Sequence, residues 1–169
     1  MRLALTALAC LAALTFAAPA MAQKYPDDNQ KLTSFSMTTL KPVFAPLDGA
    51  FSEFKGQSAT YGLFETNGLK VAIEFQACGD NPNNCLGALM MAYVSYPKTV
   101  SKAAALEAVN SFNMRYSYIK AVWISDGVIG ISRYVIADNG ISYGTFRAEV
   151  DTFTWITREF ISKVAPTLK

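Results

Sequence analysis

Histidine is absent from all 169 residues. That single gap removes Ser-His-Asp and Cys-His nucleophilic catalysis, HExxH metal sites and imidazole-based pH sensing together. Charge is sparse as well. Only 17% of the residues are Asp, Glu, Lys or Arg, with 15 basic side chains against 13 acidic ones. Setting aside Arg2 leaves 14 against 13, a net charge of +1 scattered along the chain. Nucleic-acid binding calls for a basic stripe, so no such partner is expected. Beyond the N-terminus the longest apolar stretch, Leu86–Tyr96, is interrupted and too short to cross a bilayer. Internal repeats and low-complexity segments are missing too. No cofactor is expected from what remains.

What is present begins with MRLALTALACLAALTFAAPAMA, one Arg and a short apolar run ending in Ala20-Met21-Ala22, an A-x-A cleavage pattern. Residues 1–22 therefore read as a signal peptide, and the mature protein as periplasmic or secreted. Cys10 in Leu8-Ala9-Cys10 resembles a lipoprotein acylation site only faintly, since few apolar residues precede it. Removing 22 of 169 residues leaves 147, a usual size for one domain with a real core. Residues 23–34, polar around Pro26, Asp27, Asp28 and Asn29, read as a flexible tail. The domain proper is expected over 35–169.

Apolar residues at Leu40, Val43, Phe44, Leu47, Phe51 and Phe54 recur at threes and fours, as one helix face requires. Pro42, Pro46 and Gly49 limit this to a short or broken first helix. Thr60–Ala77 reads as a hairpin around Asn67-Gly68, with Thr66 facing Leu69, Phe64 facing Val71 and Gly62 facing Ile73. The other side of that hairpin holds Glu65/Lys70, Leu63/Ala72 and Tyr61/Glu74. A third strand over Leu86–Tyr96 and a helix capped by Ser101, with the stripe Leu106, Val109, Phe112 and Tyr116, follow. Two strands around Asp126-Gly127 lead to a last helix capped by Ser142, whose stripe of Phe146, Val150, Phe153, Phe160 and Val164 is interrupted by Thr157. The fold class is α+β, an antiparallel sheet of about five strands in the order α-β-β-β-α-β-β-α.

Cys78 and Cys85, the only cysteines outside the signal, enclose Gly-Asp-Asn-Pro-Asn-Asn at the boundary between two strands. In an oxidising compartment they are expected to form a disulfide, with Cα atoms near the roughly 5.5 Å preferred by the bond. The loop's Asp80, Asn81, Asn83 and Asn84 offer oxygens to calcium but lack the spacing of an EF-hand, and no metal is expected. Ser52-Glu53-Phe54-Lys55 fits S-x-x-K, the one enzyme motif that survives without histidine. The chain is too short for the fold that usually carries it, and a catalytic role is not expected.

The asparagine pair in VNSFN at the end of the middle helix, followed by a strand, an Asp-Gly turn, a second strand and an amphipathic helix, resembles the YbjN family of bacterial sensory transduction regulators. The resemblance covers about Met37 to Val164. It implies the fold of type III secretion chaperones, a regulatory role and paired subunits. In the last hairpin a plain two-residue turn would pair Ile124 with Ile129, Val122 with Ile131 and Lys120 with Arg133, leaving Trp123 over Gly130 and both faces apolar. Asn110, Asn113, Ile119, Ala121, Trp123, Arg133 and Tyr134 are thus the candidate binding or structural surface. The expected function is a non-catalytic module that binds another protein of the cell envelope, with a homodimer through this hairpin or the adjoining helix as a further expectation. The alternative is a small-ligand carrier using the aromatic surface around Trp123 and Tyr134, and the outsider is a Ser-Lys hydrolase.

Overall fold

The computed structural model describes residues 27–56 and 60–163. The expected signal peptide, the first residues of the expected tail and Val164 lie outside them. Elements run β1 (Lys31–Leu32), α1 (Met37–Phe44), β2 (Ala50–Lys55), β3 (Thr60–Thr66), β4 (Leu69–Gln76), β5 (Gly87–Ser95), α2 (Lys102–Arg115), β6 (Lys120–Ser125), β7 (Val128–Ile136), β8 (Ile141–Ser142) and α3 (Tyr143–Lys163). The main sheet has six antiparallel strands in the order β2-β3-β4-β5-β7-β6, and β1 pairs with β8 in a separate ribbon. The α+β class is as expected; the strand count is higher.

The extra main-sheet strand is β2, which the spacing of Phe51 and Phe54 suggested was part of a helix. Alternation on a strand sends those two rings to opposite sides. Phe51 stacks on Phe44 of α1 at 4.4 Å between centroids, whereas Phe54 is exposed. The helix itself ends by Phe44, and Ser36 caps it in a reciprocal box with Thr39. Residues 27–34, expected to be loose, are also part of the fold. Leu32 and Phe35 are buried, the Tyr143 and Gly144 amides donate to the Gln30 and Asp28 carbonyls, and Arg147 pairs with Asp28. Burying two large apolar side chains, each worth about 1.5–3 kcal/mol, holds a polar stretch that composition alone would leave unattached.

The β3–β4 hairpin has the expected register from Thr66↔Leu69 to Tyr61↔Glu74, because Asn67 (φ 45°) and Gly68 (φ 77°) supply both positive angles of a type I′ turn. All three helices lie on one side of the sheet: α1 against β2 and β3, α2 against β6, and α3 across β4, β5 and β7. The core fills the space between. Phe44, Phe64, Ile73, Met90, Ile129 and Ile131 meet Phe146, Val150, Phe153 and Phe160 of α3 there. Ser101 caps α2 by accepting from the Ala104 amide, and Ser142 caps α3 by accepting from Thr145. Leu106 departs from the expected stripe of α2 and is exposed; Ala105 takes the buried place.

Candidate protein-docking face

The last hairpin does not keep the plain register. Trp123 pairs with Ile129 and Ser125 with Val128, which leaves Ile124 as an extra residue, and below the bulge Ala121 faces Ile131 and Lys120 faces Ser132. One inserted residue turns every side chain on β6 below it to the opposite side. Only Gly127, not Asp126, has a positive φ here, so this turn is of a different kind from the one at Asn67-Gly68.

The bulge redistributes the candidate residues. Ile119 and Ala121 are buried against α2. Trp123 lies on the helix side with Lys102 Nζ 4.1 Å from its ring, and its Nε1 donates to the Tyr96 hydroxyl at 3.1 Å. Arg133 points the same way and forms a two-pronged pair with Glu149 of α3 (2.9 and 2.8 Å) while donating to the Tyr118 carbonyl. Asn113 holds the sheet edge. Its amide nitrogen donates to the Ala121 carbonyl (3.0 Å) and its Oδ1 accepts from the Ala121 N–H (2.8 Å). Asn110 is exposed and makes no side-chain hydrogen bond among the described residues. Tyr134 alone of the seven lies on the side of the sheet away from the helices, so Trp123 and Tyr134 do not form one aromatic surface.

That opposite side is where apolar residues collect. Register places Val122, Gly130 and Tyr93 in one row, with the Glu65–Lys70 pair beyond the end of the β4–β5 ladder, Lys120, Ser132, Met91, Ala72, Leu63 and Ser52 in the next, and Tyr134, Leu89, Glu74, Tyr61 and Phe54 in a third. No helix covers it. Phe54, Tyr93, Val122, Ile124, Tyr134 and Ile136 are between 41% and 58% exposed, whereas Leu63, Leu89 and Met91 are half-buried between them. Two small residues let the flanking side chains lie flat: Tyr134 rests over Gly87, where a Cβ would stand 2.0 Å from its hydroxyl, and Val122 and Ile124 close over Gly130. Lys70 and Glu65 meet at 3.2 Å near one border.

The remaining candidates resolve as follows. Cys78 and Cys85 are disulfide-bonded, with Cα atoms 3.7 Å apart, nearer than the expected separation. Cys85 also bridges to Phe35 through both main-chain groups, so the closed loop is tied to the segment before α1. Ser52 and Lys55 sit three apart on an edge strand and therefore face opposite sides; Lys55 lies 3.9 Å from Glu53 instead. The S-x-x-K pair does not converge. Among the described residues there is no cluster of acidic or cysteine ligands suited to a metal, and no helix long and apolar enough to cross a membrane.

The most perturbed titrating group lies under α2. Tyr116 donates to Glu159 Oε2 at 2.6 Å, and that bond, followed by burial, holds its pKa above the usual phenol range against the opposing effect of Arg115. Arg115 in turn sits 3.0 Å from Glu159. This group ties α2 to α3. It sits on the helix layer, away from the uncovered face.

No curated protein matches the chain by sequence. The crystal structure of YbjN from E. coli, described as "a putative transcription regulator", superposes with a TM-score of 0.58 at 16% identity, covering 82% of this chain and 97% of that one. That likeness is one of fold. A family model, YbjN, described as "Putative bacterial sensory transduction regulator", matches residues 57–166, which is well over half of the 169. Those residues carry the sheet from β3 onward, both long helices and the asparagine that closes the edge: the chain belongs to the YbjN family.

Proposed function

We propose that this chain is an exported, non-catalytic regulatory module that works by binding another protein of the cell envelope through the uncovered face of its sheet. The observation that carries the reading is the apolar surface centred on Leu89, Met91, Tyr93, Tyr134 and Val122. Strand spacing of about 4.8 Å and a rise of about 3.3 Å per residue give the face roughly 650 Å². A standard partner buries about 800 Å² on each side, so the face with its rim is of the right size for one protein domain. Its form also favours a protein over a small ligand, which would be enclosed on several sides. The family description supports regulation. Export is supported by the A-x-A pattern and by the Cys78–Cys85 bond, which persists in oxidising compartments.

Site-specific photocrosslinking in intact cells tests the docking face. A photoreactive side chain at Tyr93 or Val122 should give a discrete crosslinked species, and one at Glu107 on α2 should not. A species at twice the subunit mass identifies a second copy as the occupant. Equal capture from all three positions, or none, overturns the reading. Export is tested by the intact mass of the same protein: a start at Gln23 is expected, and retention of residues 1–22 or a lipid on Cys10 overturns it.

A further inference from the structure

A second feature lies at the border of the sheet, where β4 and β5 part. The β3–β4 ladder continues to Thr66↔Leu69 and the β5–β7 ladder to Ser95↔Val128, yet the β4–β5 ladder stops at Ala72↔Met91. Lys70 and Tyr93 stand where the next exchange of main-chain hydrogen bonds would fall. The two strands diverge there. The gap is the mouth of a cleft of about 630 Å³, lined by Asn67, Gly68, Leu69, Lys70 and Tyr93 and bounded on the helix side by Arg158 and Ile161. Its volume lies within the roughly 300–1,000 Å³ of small-ligand sites.

The lining has a definite chemistry. Leu69, Ile161 and the Tyr93 ring make the walls apolar, and both charged residues of the lining, Lys70 and Arg158, are cationic. Arg158 is half-buried and fixed by one nitrogen, Nη2, which donates to the Thr66 carbonyl at 2.9 Å and to its hydroxyl at 3.2 Å. Among the described residues it has no carboxylate partner. A guanidinium held in place with donors to spare is preorganised for a carboxylate. Among the described residues Lys70 is paired with Glu65, across two exposed side chains, a contact of the kind worth about 0–1 kcal/mol and so readily redirected.

We propose that this cleft binds a carboxylate carried on an extended apolar body. Arg158 pairs with the acid and Lys70 adds to its field; the body lies against Leu69, Tyr93 and Ile161. Both a small organic acid and the C-terminus of an extended peptide have this chemistry. The cleft shares Tyr93 with the border of the docking face, but the assignment does not rest on that face.

The test is titration of the isotope-labelled mature chain, followed by nuclear magnetic resonance. The probes are octanoate, octanamide, a short peptide ending in Val-Phe as the free acid, and its C-terminal amide. Octanoate should shift the Leu69, Lys70 and Tyr93 amides and the Arg158 side chain saturably, and octanamide should bind about tenfold more weakly, the factor that loss of roughly 1.4 kcal/mol of charge-assisted pairing gives. Arg158→Gln should remove the preference for acid over amide. Ile161→Glu, a change on an exposed position, should abolish acid binding independently, so the inference stays testable if loss of Arg158 unfolds the chain. Equal affinity for acid and amide, no saturable shift at millimolar probe, or acid binding undiminished in Ile161→Glu overturns it. A peptide acid that binds more tightly than octanoate makes a chain terminus the source of the ligand; the reverse makes it a small acid.

Discussion

Asn113 offers Ala121 a donor and an acceptor in the geometry that a neighbouring strand would use, so a side chain on α2 completes the pairing of the outermost strand, β6. Open sheet edges are templates for unwanted association, and this one is closed at its most buried residue. Asn113→Ala leaves both main-chain groups of Ala121 unpaired in a buried place and should lower unfolding free energy by about 2–4 kcal/mol. Asn110→Ala, one turn away, should change it by less than about 0.5 kcal/mol. Urea denaturation of the two variants checks the difference; equal effects would show that the clamp is not what holds the edge.

The raised pKa of Tyr116 sets a pH limit on the joint between α2 and α3. Its hydroxyl donates to Glu159, so ionisation costs more in the folded chain than in the unfolded one. The stabilisation is fully present below the unfolded phenol value of about 10 and is lost as pH rises through the higher folded value. Melting temperature should therefore decline more steeply above about pH 10 in the parent chain than in Tyr116→Phe, which lacks the bond from the start. Parallel slopes would argue against this coupling.

Thr157 is fully buried in α3, and its hydroxyl is the one buried side-chain polar atom among the described residues without a hydrogen-bond partner. Replacing it by Val exchanges a desolvated hydroxyl for a methyl of similar size. Because an unsatisfied buried hydroxyl costs about 1–3 kcal/mol, Thr157→Val should raise the denaturation midpoint instead of lowering it. A lower midpoint would mean that the hydroxyl has a partner in solution.

Reducing the Cys78–Cys85 bond opens a short loop that is also stitched to Phe35 by main-chain hydrogen bonds. On the chain-entropy view a closure of this length contributes about 2.5 kcal/mol, so reduction should lower the melting temperature without unfolding the domain. Denatured, unreduced protein spanning residues 23–169 should expose no reactive thiol. Two labelled cysteines would contradict the bond, and an unmoved melting temperature would deny it a structural role.

Local chemistry was legible wherever a residue type leaves little choice. Asn67-Gly68 admits the type I′ turn and so carried the whole β3–β4 register, and Ser101 and Ser142 marked two helix starts. The second hairpin was not legible in the same way. Its Asp126-Gly127 dipeptide permits several turns, and the chosen one inserts Ile124 as a bulge, which reverses the sides of Val122 and Trp123. Periodicity misled at β2, because Phe51 and Phe54 are spaced as on a helix although only the first enters the core. The uncovered face was invisible for a related reason: Leu89, Met91 and Tyr93 alternate with the buried Ala88, Met90 and Ala92, so β5 reads as apolar throughout. Arg158 could be found only in three dimensions, since its partner Thr66 lies 92 residues earlier.

Strand β7 is inserted between β5 and β6, although β6 comes first in the chain. The meander from β2 to β5 can form from local contacts, but the inner edge of β5 has no occupant until Val128–Ile136 exists. A polypeptide that emerges from a ribosome or a translocation channel N-terminus first thus carries a long unsatisfied edge on its most apolar strand during the interval when it is half made. Closing it takes the later hairpin, which sets β7 against β5 and leaves β6 outermost. The clamp from Asn113 to Ala121 ties α2 to β6 of the hairpin that supplies that occupant.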